Sequence, residues 1–465
     1  MLGVIGAGPV GAIVALRALE IGEDVILFDI GADESQGVNS DLDAEESKKF
    51  AVKTYNGLGF PYDFNQYLQI TSTNFLRKWF TSKSKGGFSL VWGGTWGRFV
   101  SLKDQTWQSA YSFVETKVMT GDFKSLLSSD FYCACFIKMK ESMSRHSNFL
   151  NSNEIVAKLS PILSASSTKK MSDFVTWDAN LLLSECMKFK GFHYKDSQYI
   201  TAIELSESII RISNAETAQV LDRLILAAGP IGNSAILLRN RITPNSFVMS
   251  DTQMIYVPFL YRINKGVGFH QYPYSQISID IGYGNAGRMS HIQLYGHLDL
   301  HLQRYLPKSF FIRNIMVIFF RFISRFLGVA LIYIDQEDSD KLSLEWGAEE
   351  LLVRKIPNRN RSRAVKEIKM NFKIFASKRL LFPIWTFMKQ TEVGESYHLG
   401  SVSSGVVDDF GRLLSDNRIG VAGSFALDKL ESGPITMTAM AQGVRLVDKM
   451  FETLPKFGEK LPNLN

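Results

Sequence analysis

The stretch "LGVIGAGPVGAIVALRALEIGEDVILFDIG", residues 2–31, decides the fold. Leu2 to Ile5 form an apolar run that reads as a buried strand, and Gly6-x-Gly8-x-x-Gly11 follows it directly. A segment rich in Ala, Ile, Val and Leu reads as a helix, and a second apolar strand, 24–28, ends on Asp29. Strand, glycine triplet, helix, strand and acid in this order predict the first βαβ unit of a doubly wound parallel sheet built to hold a dinucleotide. Each residue type has a mechanical reason. Gly6 permits the tight turn, Gly8 lets the backbone approach a pyrophosphate, and Gly11 lets the helix lie against the strand. Pro9 and Val10 sit on the same turn, where unpaired helix N–H groups and the positive end of the helix dipole favour phosphate. Asp29 is placed to accept hydrogen bonds from ribose hydroxyls. The triplet alone does not separate FAD from NAD. Its place at the N-terminus, with no second triplet of this kind, points to a single, tightly held FAD.

The rest of the composition narrows the function classes. The chain has 465 residues, 45% hydrophobic and 21% charged, which suits two or three globular domains. The net charge of +6 is spread thinly, with no run of like charges that would read as a nucleic-acid arm. Cys133, Cys135 and Cys186 lack the paired spacing of a zinc site, so no metal is expected and all three read as small apolar residues in a reducing compartment. No charged leader precedes the glycine fingerprint, and no apolar run reaches the ~18 residues of a spanning helix. The expected location is cytoplasmic, possibly at the inner face of a membrane.

Two further segments carry glycine chemistry. "KGGFSLVWGGTWGRFV", 85–100, crowds five glycines around Trp92 and Trp96. Glycine packs nothing and weakens regular structure, so the cluster suggests a backbone pressed against a flat ligand. "VLDRLILAAGPIGNSAILLRN", 220–240, reads as a later strand of the parallel sheet, turning at Ala228 and Gly229 into a helix.

Taken together, the N-terminal fingerprint, "GGFSLVWGG" (86–94), "AAGPIGNSAILL" (227–238) and the tail "YHLGSVSSGVVDDFGRLL…IGVAGSFALDKLESGPITMTAMAQGVRL" (397–446) resemble the glucose–methanol–choline (GMC) family of FAD-dependent alcohol oxidoreductases, in its divergent bacterial branch. The likeness covers about a third of the chain and is weak over 245–390. It implies an FAD domain assembled from separated segments and a substrate domain inserted between them. It puts His398 where the family has the histidine that receives the proton of the substrate hydroxyl as hydride leaves for flavin N5. It lays Gly86, Gly87, Ser89, Val91, Trp92, Gly93 and Gly94 along the flavin and pyrophosphate, with further contacts at Ala228, Gly229, Gly423, Ser424, Pro434 and Ile435. Val91 stands where some relatives carry a histidine joined to the flavin, so the resemblance implies noncovalent FAD.

The chain departs from the family twice. Gly433 precedes Pro434 where an Asn or His is usual as the second polar group of the active site. Ser432, Thr436 and Thr438 are the nearby candidates for a replacement, and the first two are taken as catalytic. Gly423 stands where an acid is expected at the flavin ribityl chain. The chemistry of the residues agrees with the implied reaction. Oxidising an alcohol removes a proton and a hydride together, and a histidine that titrates near neutrality can take the proton.

In "SHIQLYGHLDLHLQRY", His291, His297 and His301 alternate with apolar residues as on a half-buried strand. Such a face reads as solvated, with a sugar-facing wall as the other reading. In "LPKSFFIRNIMVIFFRFISRFLG", 306–328, Arg313, Asn314, Arg321, Ser324 and Arg325 fall within about a third of a helical circle. A helix over 308–327 with a basic stripe and an aromatic face suits a membrane surface or packing within the protein equally. After it, "VALIYIDQEDSDKLSLEW" reads as strand, acidic turn and strand, returning to the substrate sheet.

The expected class is α/β, α+β overall: a Rossmann-like FAD-binding domain with an inserted domain containing a mostly antiparallel sheet. The segments are 1–110 (FAD domain, first part), 111–180 (helical connection or lid), 181–245 (FAD domain, second part), 246–390 (substrate domain) and 391–465 (FAD domain, with the histidine). The expected activity is dehydrogenation of a CH–OH group on a small molecule or glycan, a sugar or glycoconjugate. The electron acceptor (oxygen, a quinone or another protein) is not named by the sequence. The alternative is a non-catalytic or redox-neutral FAD-binding protein, scaffold or mutase-like.

Overall fold

In the computed structural model the apolar run at the N-terminus becomes the central strand of a parallel sheet. The structure describes residues 1–31, 61–63, 67–77, 79–82, 84–90, 92, 94–99, 101–118, 155–160, 162–163, 177–214, 217–261, 275–284, 288–295, 327–377, 381–395, 398–402 and 405–451. Strands β1 (Leu2–Ile5), β2 (Val25–Phe28), β3 (Phe192–Lys195) and β4 (Arg223–Leu226) join a late strand, Ile419–Val421, in the order Ile419–Val421, β4, β1, β2, β3. Leu2, Val4, Val25 and Leu27 are wholly buried, as expected for strands covered on both faces. Helix α1 (Pro9–Glu20) packs against β1 and β2, and α2 (Gly229–Arg239) leaves β4 by the same kind of strand-to-helix turn. Residues from both ends and the middle of the chain thus build this sheet. It is the Rossmann-like arrangement that the glycine fingerprint predicts.

A seven-stranded antiparallel sheet contains β5 (Met254–Tyr261), β6 (Ser275–Tyr283), β7 (Arg288–Tyr295) and β8 (Leu327–Tyr333), in the order β5-β8-β7-β6. Alternation assigns its two faces. Ile279, Ile292 and Ile332 point to helix α3 (Arg361–Ser377), where Ile368 and Phe372 close the core. The opposite face carries His291, Gln293 and Tyr333, and all three are buried. The expectation of a solvated face here is therefore incorrect. Residues from much later in the chain cover it, and strand alternation cannot report that contact.

The acidic turn after β8 also differs from expectation. The strand that follows it, Lys341–Trp346, enters a separate five-stranded sheet with Ser246–Asp251 and Leu399–Val402. Asp338 and Asp340 in the turn are buried and paired with Arg288 and Arg361, so the change of sheet is pinned by ion pairs. Helix α4 (Thr436–Met450) returns to the parallel sheet and packs on α1. Gly443 makes this approach possible, since a Cβ there would lie 2.8 Å from Val14 Cγ2. Arg17 Nε donates to Asp448 Oδ1 at 2.6 Å across the same contact.

The stretch 308–326 lies outside the described residues, and Leu327 opens β8. Among the described residues, no helix is long and apolar enough to cross a membrane. Cys133, Cys135, His297 and His301 also lie outside the described residues. Cys186 is a buried free thiol.

Candidate active site

The glycine turn after β1 opens on a cavity of about 280 Å³. Gly6, Gly8, Pro9, Val10 and Asp29 line it from one side, and Ala228 and Gly229 line it from the turn after β4. Gly6 has φ +105°, and a Cβ there would lie 2.6 Å from the Ala227 carbonyl oxygen. At Gly11 a Cβ would fall 1.8 Å from the Gly6 carbonyl oxygen, so neither position admits a side chain. A Cβ on Gly8 would meet nothing within 4 Å, which leaves its backbone open to the cavity. No side chain caps the N-terminus of α1 at Gly8 or of α2 at Ala228. Both turns therefore present helix N–H groups that a phosphate can take up.

Asp29 is buried at the end of β2. Its carboxylate accepts from the backbone N–H groups of Ala7, Ile30 and Gly31, and from the Tyr194 hydroxyl at 3.3 Å. Burial outweighs these bonds and pushes its carboxyl up to about 7. Tyr194, Arg239 and the segment Gln198 to Thr201 complete this end of the site; they carry no glycine or acid signature, so the sequence did not single them out.

The middle glycine cluster reaches the same cavity. Gly87, at φ +61°, lies so close to the fingerprint that its Cβ would stand 3.3 Å from Gly8 Cα. Gly86 and Ser89 hold this turn rather than face the cavity: Ser89 Oγ donates to the Gly86 carbonyl at 2.6 Å and accepts from the Ala179 N–H at 3.0 Å. Trp92 Nε1 donates to the Trp177 carbonyl at 2.8 Å, which ties the indole to the core. The Gly94 carbonyl accepts from the Leu163 N–H at 2.9 Å. Val91 and Gly93 lie outside the described residues.

His398 sits beside Leu399, which lines the cavity, and its ring stacks on Tyr333 at 5.0 Å and 16°. Burial, and then the neighbouring His291, hold its imidazole down to about 4, so the ring is neutral near pH 7. The buried Tyr333 hydroxyl is pushed well above its ordinary range by desolvation and stays protonated. His291 is 5.8 Å from Tyr333 between ring centroids. Gln293 Oε1 accepts from the Tyr295 hydroxyl at 2.8 Å. The half-buried His398 and the buried His291, Gln293 and Tyr333 thus form one polar cluster drawn from three separated segments.

The tail residues divide. Gly423, at φ +94°, abuts Val10, and its N–H donates to Gln442 Oε1 at 2.6 Å; the buried Ser424 follows it. Ser432 Oγ donates to the Met289 carbonyl at 2.9 Å, fixing the segment before Gly433 to β7. Pro434 and Ile435 lead into α4, and Thr436 is its first residue. Thr438 Oγ1 is 2.9 Å from the Tyr111 hydroxyl and accepts from the Phe99 N–H, so it belongs to the core of that helix contact. Among the described residues, no group of three or more His, Cys, Asp or Glu could hold a metal ion.

Set beside known proteins, this arrangement finds its likeness in fold. The chain is similar to the crystal structure of pyridoxine 4-oxidase from Mesorbium loti, with a TM-score of 0.60 over 97% of this chain and 99% of that one. Sequence identity is 12%, so the likeness is one of architecture. No family model matches the sequence. No curated protein matches it either. In all, 708 solved chains match, so the fold by itself selects no substrate.

Proposed function

We propose that this chain is an FAD-dependent oxidoreductase that acts on a CH–OH group, with His398 receiving the hydroxyl proton. The observation that carries the reading is a juxtaposition. Leu399 lines a dinucleotide-type cavity, and its neighbour, the half-buried His398, stacks on the buried Tyr333. The residues fit FAD: Gly8 leaves its backbone open, two uncapped helix N-termini face the cavity, and Asp29 offers a carboxylate to ribose hydroxyls. Bound FAD supplies the hydride acceptor, which no side chain can be. The chain's own residues do the rest. The neutral His398 has a lone pair for the hydroxyl proton, Tyr333 holds the ring face, and Gln293 with the tyrosines offers hydrogen bonds to a polyhydroxylated substrate.

The likeness to an oxidase of pyridoxine supports the reaction class and adds pyridoxine to the alcohols worth testing. The polar pocket supports a sugar or glycoconjugate. A second reading, an FAD-binding protein without net oxidation, is favoured by Gly433 and Gly423, which lack the polar side chains that the resemblance expects. Anaerobic reduction of the flavin separates the two. In the proposed reading, a His398→Ala protein retains FAD and is reduced by substrate ~10²-fold or more slowly than wild type. Equal reduction rates for the two proteins would remove His398 from the role.

A further inference from the structure

The place left bare by Gly433 is filled from another strand. Gly433 has φ +130°, and a Cβ built there would lie 3.2 Å from Cγ of His291. A side chain at 433 is therefore disfavoured twice, by the backbone conformation and by a tight contact with the imidazole of His291. His291 comes from the middle of β7 and is 5% exposed. Directly across the antiparallel ladder, on β6, its partner is Asp280. Asp280 Oδ1 lies 2.6 Å from His291 Nδ1.

This pair assigns the tautomer. The carboxylate accepts the Nδ1–H, and in the neutral ring Nε2 then carries the lone pair. Nε2 is 3.5 Å from Gln293 Nε2, a long contact that a better donor can replace. The Gln293 oxygen is already engaged by Tyr295, which identifies its nitrogen as the donor side. His291 and His398 both contact the ring of Tyr333, at 5.8 and 5.0 Å. The two histidines therefore flank one aromatic ring, and His291 disfavours a proton on His398.

We propose that His291 is a second catalytic residue of this site, oriented by Asp280, and that Gly433 is glycine to admit its ring. The role rests on the oxidoreductase reading above. The substrate hydroxyl donates its single hydrogen to one ring at a time, to Nε2 of His291 or to His398, and that ring takes the proton. With the proton on Nε2, the imidazolium is balanced by the Asp280 carboxylate. The C–H electron pair leaves as hydride to the FAD of that reading, and the carbon–oxygen double bond closes. Asp280 is a positioning residue, because it acts through His291.

The experiment uses the FAD-loaded full chain with His291→Gln and Asp280→Ala variants. The first readout needs no substrate: nitrogen-15 NMR of the histidine side chains, with the His291 signal assigned by its loss in His291→Gln. The expected wild-type signal is an Nδ1-protonated, Nε2-unprotonated ring at neutral pH, and Asp280→Ala is expected to mix the tautomers. An Nε2-protonated ring in wild type would overturn the role. The second readout is anaerobic reduction by pyridoxine, by monosaccharides or by simple alcohols. With FAD retained, His291→Gln is expected to slow reduction ~10²-fold or more, and Asp280→Ala by less. Wild-type reduction with no slowing in His291→Gln would overturn this role alone. Wild type that holds FAD and is reduced by none of these compounds would overturn the oxidoreductase reading, and this role with it.

Discussion

Gly87 reaches across the cavity edge to Gly8: a Cβ on Gly87 would stand 3.3 Å from Gly8 Cα. Two glycine clusters far apart in the chain thus form one backbone surface at the phosphate end of the site. Gly87 also holds φ +61°, a conformation that costs an L-residue ~1–2 kcal/mol. Gly87→Ala is expected to lower FAD content sharply while leaving the α1–α4 core folded. Measuring flavin released on denaturation, beside a thermal melt, checks this. A variant with full FAD content would remove the contact from the site.

Asp29 sets a pH dependence for cofactor binding. Its carboxyl is pushed up to about 7 by burial, so much of it is protonated below neutrality in the free protein. Ribose hydroxyls donate to the ionised form. FAD affinity is therefore expected to rise as pH increases through about 7 and to fall below it. A hydrogen bond to a charged group contributes ~1.5–3 kcal/mol, so Asp29→Asn should bind FAD roughly tenfold or more weakly, with the pH dependence flattened. Titration of the apoprotein by fluorescence at several pH values gives the comparison, and an unchanged slope in Asp29→Asn would exclude this carboxyl as the cause.

His398 makes the opposite contribution to stability. Its folded value is held down to about 4, against 6.5 for an ordinary histidine, by burial and by His291. Between those two values the unfolded chain binds the proton and the folded one does not. Stability therefore falls as pH drops from about 6.5 to about 4, by up to about 3 kcal/mol for this group. Asp29, whose folded value is raised, contributes the reverse slope over much of the same window. The useful quantity is thus the difference between wild type and His398→Gln in denaturant melts across that range. Loss of the acid-side slope in the variant is expected; identical profiles would count against a buried neutral ring.

The α1–α4 contact can be tested at Gly443 and Val14, which do not themselves line the cavity. A Cβ at Gly443 would lie 2.8 Å from Val14 Cγ2 and 3.3 Å from Val10 Cγ1. Gly443→Ala is expected to cost ~1–3 kcal/mol by overpacking. Adding Val14→Ala should recover part of that loss, because the two residues share one space. Thermal melts of the single and double variants read the coupling directly, and strictly additive losses would contradict the shared contact.

What the sequence made legible follows from how local the signals are. Leu2–Ile5, the turn at Gly6, Gly8 and Gly11, and the acid at Asp29 lie within one short span, and glycine chemistry marks each turn. The same holds for the turn at Ala228 and Gly229. Ser89 was not legible in this way: its hydroxyl serves Gly86 and Ala179, a contact made only after the chain folds back. The burial of His291 was hidden for a related reason. Alternation along β7 gives the face on which His291 lies, but residues near 398 and 433 supply the cover. Asp280, directly across the ladder in "SQISIDIGY", is a signal that pairing of the two strands would have revealed.

The most direct test is an anaerobic absorbance spectrum of the purified chain, taken before and after addition of pyridoxine, monosaccharides, glycosides and simple alcohols. An FAD band that bleaches with one of these compounds, with a carbonyl product and FAD that is released on denaturation, is the expected result. The absence of a flavin band, or a band that none of these alcohols bleaches, would contradict the proposed oxidation of a CH–OH group.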